Sequence, residues 1–235
     1  MSKATEIKKE IAKYADSEKA KILQGFFKTG KGEYGEGDIF IGVKVPEVRE
    51  IAKKFKETEF FEIEKLLKSK IHEERLCALL ILIQKFEKTN EKEKQKIVDF
   101  YLANTKQINN WDLVDLSAPK IIGKHLVEKN RKIVYTLAKS KELWEKRIAI
   151  IATYAFIQKN DFSDTLKISE LLINEEHDLM HKAVGWMLRE IGKRNLNAEE
   201  KFLKKHYKKM PRTMLRYAIE KFDEPKRKAY LNGKI

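Results

Sequence analysis

A chain of 235 residues with 42% apolar and 37% charged residues, and only 4 prolines and 10 glycines, can build a core but has too few breakers for a β-sandwich or a disordered polymer. Lys and Arg number 50 against 36 acids, a formal charge of +14, which favours a polyanionic partner, nucleic acid before an anionic membrane. Charge alone is equally compatible with a lysine-rich protein that binds nothing. The single cysteine, Cys77, lies in the run Leu76-Cys77-Ala78-Leu79-Leu80; it excludes an intrachain disulfide and a thiolate zinc cluster and reads as a small buried hydrophobe.

The chain opens on MSKATEIKKEIAKYA, an amphipathic helix without the apolar core of a signal peptide. The longest apolar runs, such as Ile148–Ala152, are too short to span a bilayer, so the expectation is a soluble, cytoplasmic protein associated with the nucleoid. Helical periodicity then continues over 17–28, with Asp16 or Ser17 as its cap, and over 46–56, where Pro46 suits a first turn. Further helices are expected at 60–69, 73–88, 91–105, 111–127, 131–140, 143–158, 163–173, 177–194, 198–209 and 212–222. Glu91 and Glu93 follow Thr89-Asn90 at the positive end of a helix dipole, and Asn110 is placed to cap the helix opened by Trp111. Between the second and third helices, residues 29–45 (TGKGEYGEGDIFIGVKV) form a Gly-rich insertion, expected as a loop or short hairpin.

The helices fall into antiparallel pairs, and the longer second helix of each pair opens near Arg75, Trp111, Arg147 and Lys182, about 36 residues apart. A recurring two-helix unit defines the expected fold class: an all-α solenoid of antiparallel HEAT-like helix pairs with a concave basic face, forming one domain over 1–235. Equivalent positions align in such an array, so Arg75, Trp111 with Asp112 and Asp115, Arg147, and Lys182 with Trp186 are expected in a row, which Arg216 extends. Cations, indoles and carboxylates together suit a nucleic-acid groove. A protein-binding scaffold would instead call for a charge-neutral inner face.

Within Asn109–Asp115 (NNWDLVD), Trp111 and Asp115 are four apart and share a helix face. Asp112 reads as an ordinary first-turn acid. Asp115 does not, because a carboxylate facing a basic row weakens its pull on phosphate. The segment WDLVD, followed by LWEKR (Leu143–Arg147) and HKAVGWMLRE (His181–Glu190), resembles the AlkD-like family of DNA alkylation repair proteins, from Phe26 to about Arg216. The resemblance implies excision of positively charged alkylpurines, such as 3-methyladenine and 7-methylguanine, from double-stranded DNA; no cofactor or metal is expected, and a repeat protein of this length is expected as a monomer. It implies that Asp115 lies beside the lesion's deoxyribose as the catalytic carboxylate, that Trp111 and Trp186 contact the damaged nucleotide's backbone, and that Arg147 meets the phosphate there. Phe26, Lys182, Arg49 and Arg216 complete the expected DNA-binding set. Core packing stays open for both indoles, and an ion pair to Glu142 or Glu145 for Arg147.

The chain also departs from the family pattern. Asn110 precedes a single tryptophan where two adjacent aromatics are expected, and Phe26 stands where a tyrosine is expected. The resemblance to those family members that vary in this way implies binding of branched DNA with little glycosylase activity, which supplies the alternative function, a non-catalytic binder of branched or damaged DNA. Two other motifs carry less. Gly30–Gly35 matches G-x-G-x-x-G but follows a helix, so a dinucleotide site is excluded; Lys31, Lys44 and Arg49 could make the loop a DNA finger, or it could be plain surface. His177 and His181 mimic a shortened zinc-protease motif, lack a third ligand, and read as structural, or as one phosphate contact from His181.

Overall fold

The computed structural model describes residues 2–235, all of them in helices, turns or irregular segments apart from one isolated β-bridge. Two compact units meet in sequence at Ser117 and Ala118. The first holds α1 (Lys3–Ala12), α2 (Ser17–Phe26), α3 (Val45–Lys54), α4 (Phe60–Leu67), α5 (His72–Glu87), α6 (Glu91–Ala103) and α7 (Trp111–Ser117). The second opens on a π-turn at Pro119–Gly123 and continues through α8 (Lys124–Leu126), α9 (Lys132–Ala138), α10 (Leu143–Ala152), α11 (Tyr154–Ile157), α12 (Ser163–Leu171), α13 (Asp178–Gly192), α14 (Leu196–His206), α15 (Arg212–Ala218) and α16 (Glu224–Leu231). The fold is all-α and solenoid-like.

In the first unit α5 is the central element, packed by α3, α4, α6 and α7. Every residue from His72 to Ile83 is buried, and a helix apolar around most of its girth needs neighbours on all sides. Each buried Leu or Ile here contributes roughly 1.5–3 kcal/mol. Cys77 is buried within this helix, and burial, with Glu74 nearby, pushes its thiol up to about 12. In the second unit α13 has the corresponding place, against α10, α14 and α15. Helices α13 and α15 approach closely at Gly185, where a Cβ would lie 2.4 Å from the Met214 carbonyl oxygen and 2.5 Å from Tyr217 Cβ. Gly185→Ala should therefore force α13 and α15 apart and cost about 1–3 kcal/mol; an unchanged midpoint in urea unfolding would show that the contact yields freely.

Local signals explain most helix starts. Asp16, Asn90, Asn195 and Asp223 each accept a backbone N–H of the first turn. The expected helix at 111–127 is interrupted: Pro119 lacks an N–H, and the Gly123 N–H reaches back to the Ala118 carbonyl at 2.9 Å in a wider turn. The expected helix at 143–158 breaks at Thr153 into α10 and α11. Helix α16 was not expected, yet its Asp223 cap and Pro225 in the first turn are start signals.

Residues 29–44 form turns. Their one β-bridge pairs Ile39 in parallel with Ile71, which a hairpin cannot supply, and Phe40 and Val43 turn inward while Ile39 stays exposed. The loop is clamped to the start of α5: the Glu73 carboxylate accepts the N–H groups of Ile41, Gly42 and Val43 at 2.8–3.2 Å. Gly42 has φ +85°, and a Cβ there would lie 2.1 Å from the Asp16 carbonyl oxygen, so only glycine fits.

Candidate nucleic-acid interface

The first unit's candidate residues centre on α7. Leu113 and Val114 are fully buried, whereas Trp111 and Asp115 are both half-buried. Four residues separate them, so indole and carboxylate occupy one accessible face. The Asp115 charge also acts on Tyr101, whose phenol is raised chiefly by burial; Tyr101 in turn hydrogen-bonds Ser117 at 2.8 Å.

Trp111 ends a column of rings. It stacks on Phe27 at 5.1 Å and 15°, Phe27 stacks on Phe40 at 4.7 Å, and Phe40 stacks on His72 at 4.3 Å. Phe26 meets the indole edge-on at 5.9 Å and is itself 62% exposed. Core packing and an accessible indole are thus both present at Trp111: one ring face is used by Phe27, while part of the side chain stays open. Arg49 is exposed on α3.

Beneath this column lies a buried polar cluster. His72 Nε2 is 2.8 Å from Asp112 Oδ2, and its Nδ1 is 3.3 Å from Asp38 Oδ2. Arg75 reaches Asp38 Oδ1 at 2.6 Å and donates to the Ser69 carbonyl at 2.8 Å. Asn110 donates to Asp38 Oδ2 at 3.3 Å and accepts the Trp111 N–H at 2.8 Å. Burial works against a charged imidazole, but the hydrogen bonds to Asp112 and Asp38 outweigh it and hold His72 above its ordinary pKa. Burial likewise works against ionised Asp38, and His72 with Arg75 carries it below the usual carboxylate range.

Two expectations change here. Arg75 is not a groove cation: it is 3% exposed and committed to Asp38, because the repeat spacing fixes its position along α5 but not its depth. Asp112 is a first-turn acid as expected, and it is also the acceptor of His72. His72, Asp38 and Glu73 were missed. Their partners lie 30 or more residues away, and the available signal was three polar residues, His72-Glu73-Glu74, opening a helix with a long apolar run.

In the second unit Lys182, Trp186 and Glu190 follow one another at four-residue intervals along α13. Lys182 pairs with Asp178 at 2.7 Å, and the Trp186 indole N–H donates to Glu190 at 3.0 Å with Tyr154 beside it at 6.3 Å. Lys182 and Trp186 are half-buried and Arg216, on α15, is exposed. Arg147 is 4% exposed and donates to the Leu179 carbonyl at 2.5 Å, bridging α10 to the start of α13. His177 accepts the Leu179 N–H as a helix cap, and His181 Nε2 lies 2.5 Å from the Glu175 carbonyl oxygen. Each histidine thus makes a local contact to the backbone. Among the described residues no cluster of His, Cys, Asp or Glu could hold a metal ion, and no helix is long and apolar enough to cross a membrane.

The repeating helix pairs carry a half-buried indole on α7 in the first unit and another on α13 in the second. The chain belongs to the DNA alkylation repair enzyme family, whose model matches residues 7–222. This membership gives it a role in DNA repair, with DNA as its substrate. Among solved structures it is similar to a "Predicted DNA alkylation repair enzyme from Enterococcus faecalis", with a TM-score of 0.69 and 18% identity over 89% of this chain and 97% of that one. At that identity the likeness speaks to the fold. A search of curated protein sequences finds no match.

Proposed function

We propose that the protein is a DNA glycosylase that hydrolyses the N-glycosidic bond of positively charged alkylpurines, 3-methyladenine and 7-methylguanine, in duplex DNA. The observation that carries this reading is the pairing of Asp115 with Trp111 on the accessible face of α7, above fully buried Leu113 and Val114. A cationic alkylpurine is already a good leaving group, so the reaction needs little proton donation. It needs stabilisation of the positive charge that grows on the sugar, which a nearby carboxylate supplies. Asp115 can also orient the attacking water. The indole faces of Trp111 and Trp186 attract the cationic nucleotide. Phe26 adds an apolar contact beside Trp111, Arg49, Lys182 and Arg216 add phosphate contacts, and Arg147, largely covered, contributes its positive field.

Pure protein incubated with methylated duplex DNA should release 3-methyladenine or 7-methylguanine. Asp115→Asn should slow single-turnover release by about 100-fold or more while DNA binding persists. Equal release by that variant would remove Asp115 from the chemistry.

A second reading, a non-catalytic binder of branched or damaged DNA, is favoured by two particulars. Phe26 presents a ring without a hydroxyl, and Asn110 is fully buried against Asp38 instead of offering a second aromatic. It predicts tight, salt-sensitive binding to junctions with no base release. Preference for plain duplex over every branched form would count against it.

A further inference from the structure

We infer that His72 is a positioning residue for the α7 face: its hydrogen bond to Asp112 holds the first turn of that helix and thereby orients Trp111 and Asp115. The inference rests on the reading of that face as the site of DNA chemistry, and its closing measurement is separable from it.

Helix α7 opens from an irregular segment and runs into the wide turn at Pro119–Gly123, so its first turn, whose N–H groups have no partner within the helix, depends on side-chain contacts to fix its direction. Packing holds one side through Leu113 and Val114. The opposite end is held by polar contacts: Asn110 and Asp112, flanking Trp111, are tied to Asp38 and His72 respectively. His72 is 1% exposed and is itself fixed by Asp38 and by the Phe40 ring, with the Arg75 guanidinium 3.4 Å from Nδ1. The cluster holds two carboxylates, one guanidinium and one imidazole, a set that is electrically closed when His72 is protonated. Protonated, His72 donates to Asp112 and Asp38 at once, which suits the direction in which those acids move its pKa.

The dependence of Asp112 on His72 is sharpened by its second oxygen, for Oδ1 is buried without a hydrogen-bond partner. Removal of the imidazole leaves a carboxylate with neither oxygen satisfied, a state a short helix escapes by swinging its first turn towards water. Trp111 lies in that turn and Asp115 one turn further on. Misplacement of reacting groups by about 1 Å costs about 100-fold in rate, so the same motion would be felt at Asp115 although His72 touches no reacting atom.

The test uses His72→Phe, which keeps a ring against Phe40 but offers no N–H, and His72→Gln, which restores a neutral donor. Trp111, Trp144 and Trp186 give three indole N–H resonances in a 15N-correlated spectrum, and loss of one peak in Trp111→Phe assigns Trp111. His72→Phe should shift and broaden the Trp111 resonance and leave Trp186 in place; His72→Gln should return it most of the way. Single-turnover base release should fall at least tenfold in His72→Phe, with DNA affinity changed less than threefold. An unmoved Trp111 resonance, or equal movement of Trp186 as in general loosening, overturns the inference. Should His72→Phe not fold, Asp112→Ala, at a partly exposed position, must perturb the same resonance. Wild-type protein that releases no base defeats the glycosylase reading, and the Trp111 resonance still decides the role of His72.

Discussion

Asp38→Ala is expected to lower the stability of the protein by about 3–5 kcal/mol. Asp38 is 5% exposed and is the acceptor on which Arg75, His72 and Asn110 converge. Without it, a guanidinium that is 3% exposed loses its carboxylate contact, and its Nε has no hydrogen-bond partner among the described residues. A buried charge stripped of its counterion cannot neutralise itself when it is an arginine, so the cost falls on folding. Asp38→Asn, which keeps two heavy atoms in place, should cost less than alanine. The contrast is with exposed pairs such as Glu18–Lys21, whose side chains are 78% and 74% open; breaking that pair should change stability by less than about 0.5 kcal/mol. Urea unfolding of the three variants gives the ordering. A loss below 1 kcal/mol for Asp38→Ala would mean that Arg75 finds another anion.

The second large effect has the opposite sign and depends on pH. Glu199, in the first turn of α14, is 1% exposed, its Oε1 has no hydrogen-bond partner, and its carboxyl lies against the backbone of Gly192. Burial, reinforced by the charge of Glu200, pushes it from an ordinary 4.5 up to about 8. The unfolded chain therefore gives up this proton from about pH 4.5, while the folded chain holds it until about pH 8. Folding is penalised progressively across that window and fully above it. Glu199→Gln has the same shape without the proton. The variant should match the wild type near pH 4 and exceed it by on the order of 3 kcal/mol at pH 8, with Tm higher by several degrees. Parallel stability curves for the two proteins between pH 4 and 8 would contradict this.

The helix pairs were legible because their signals are local. Asn90 and Asp16 cap where their side chains suggested, and the second helices of the pairs do open at 72, 111, 143, 178 and 212, close to the expected period. What sequence spacing could not supply was depth. Arg75 and Lys182 occupy equivalent places in the repeat, yet one is buried against Asp38 and the other is half-open and paired with Asp178. The apolar run after Arg75 was the available warning, since a cation leading into a buried apolar stretch of its own helix needs an internal partner. The shared face of Trp111 and Asp115 was readable from four-residue spacing. The His72–Asp112 bond beneath it spans 40 residues, and no periodicity connects those positions.

Cys77 bears on how a protein of this family can deal with methylated DNA. A thiol held near 12 inside α5 is almost wholly protonated at neutral pH and has no approach for a bulky electrophile. The one sulfhydryl of this chain is thus disqualified as an acceptor of a methyl group, and a route in which the protein consumes itself by taking up the lesion's carbon at sulfur is closed to it. The same seclusion removes this thiol from the nucleophiles that an electrophile in solution can reach.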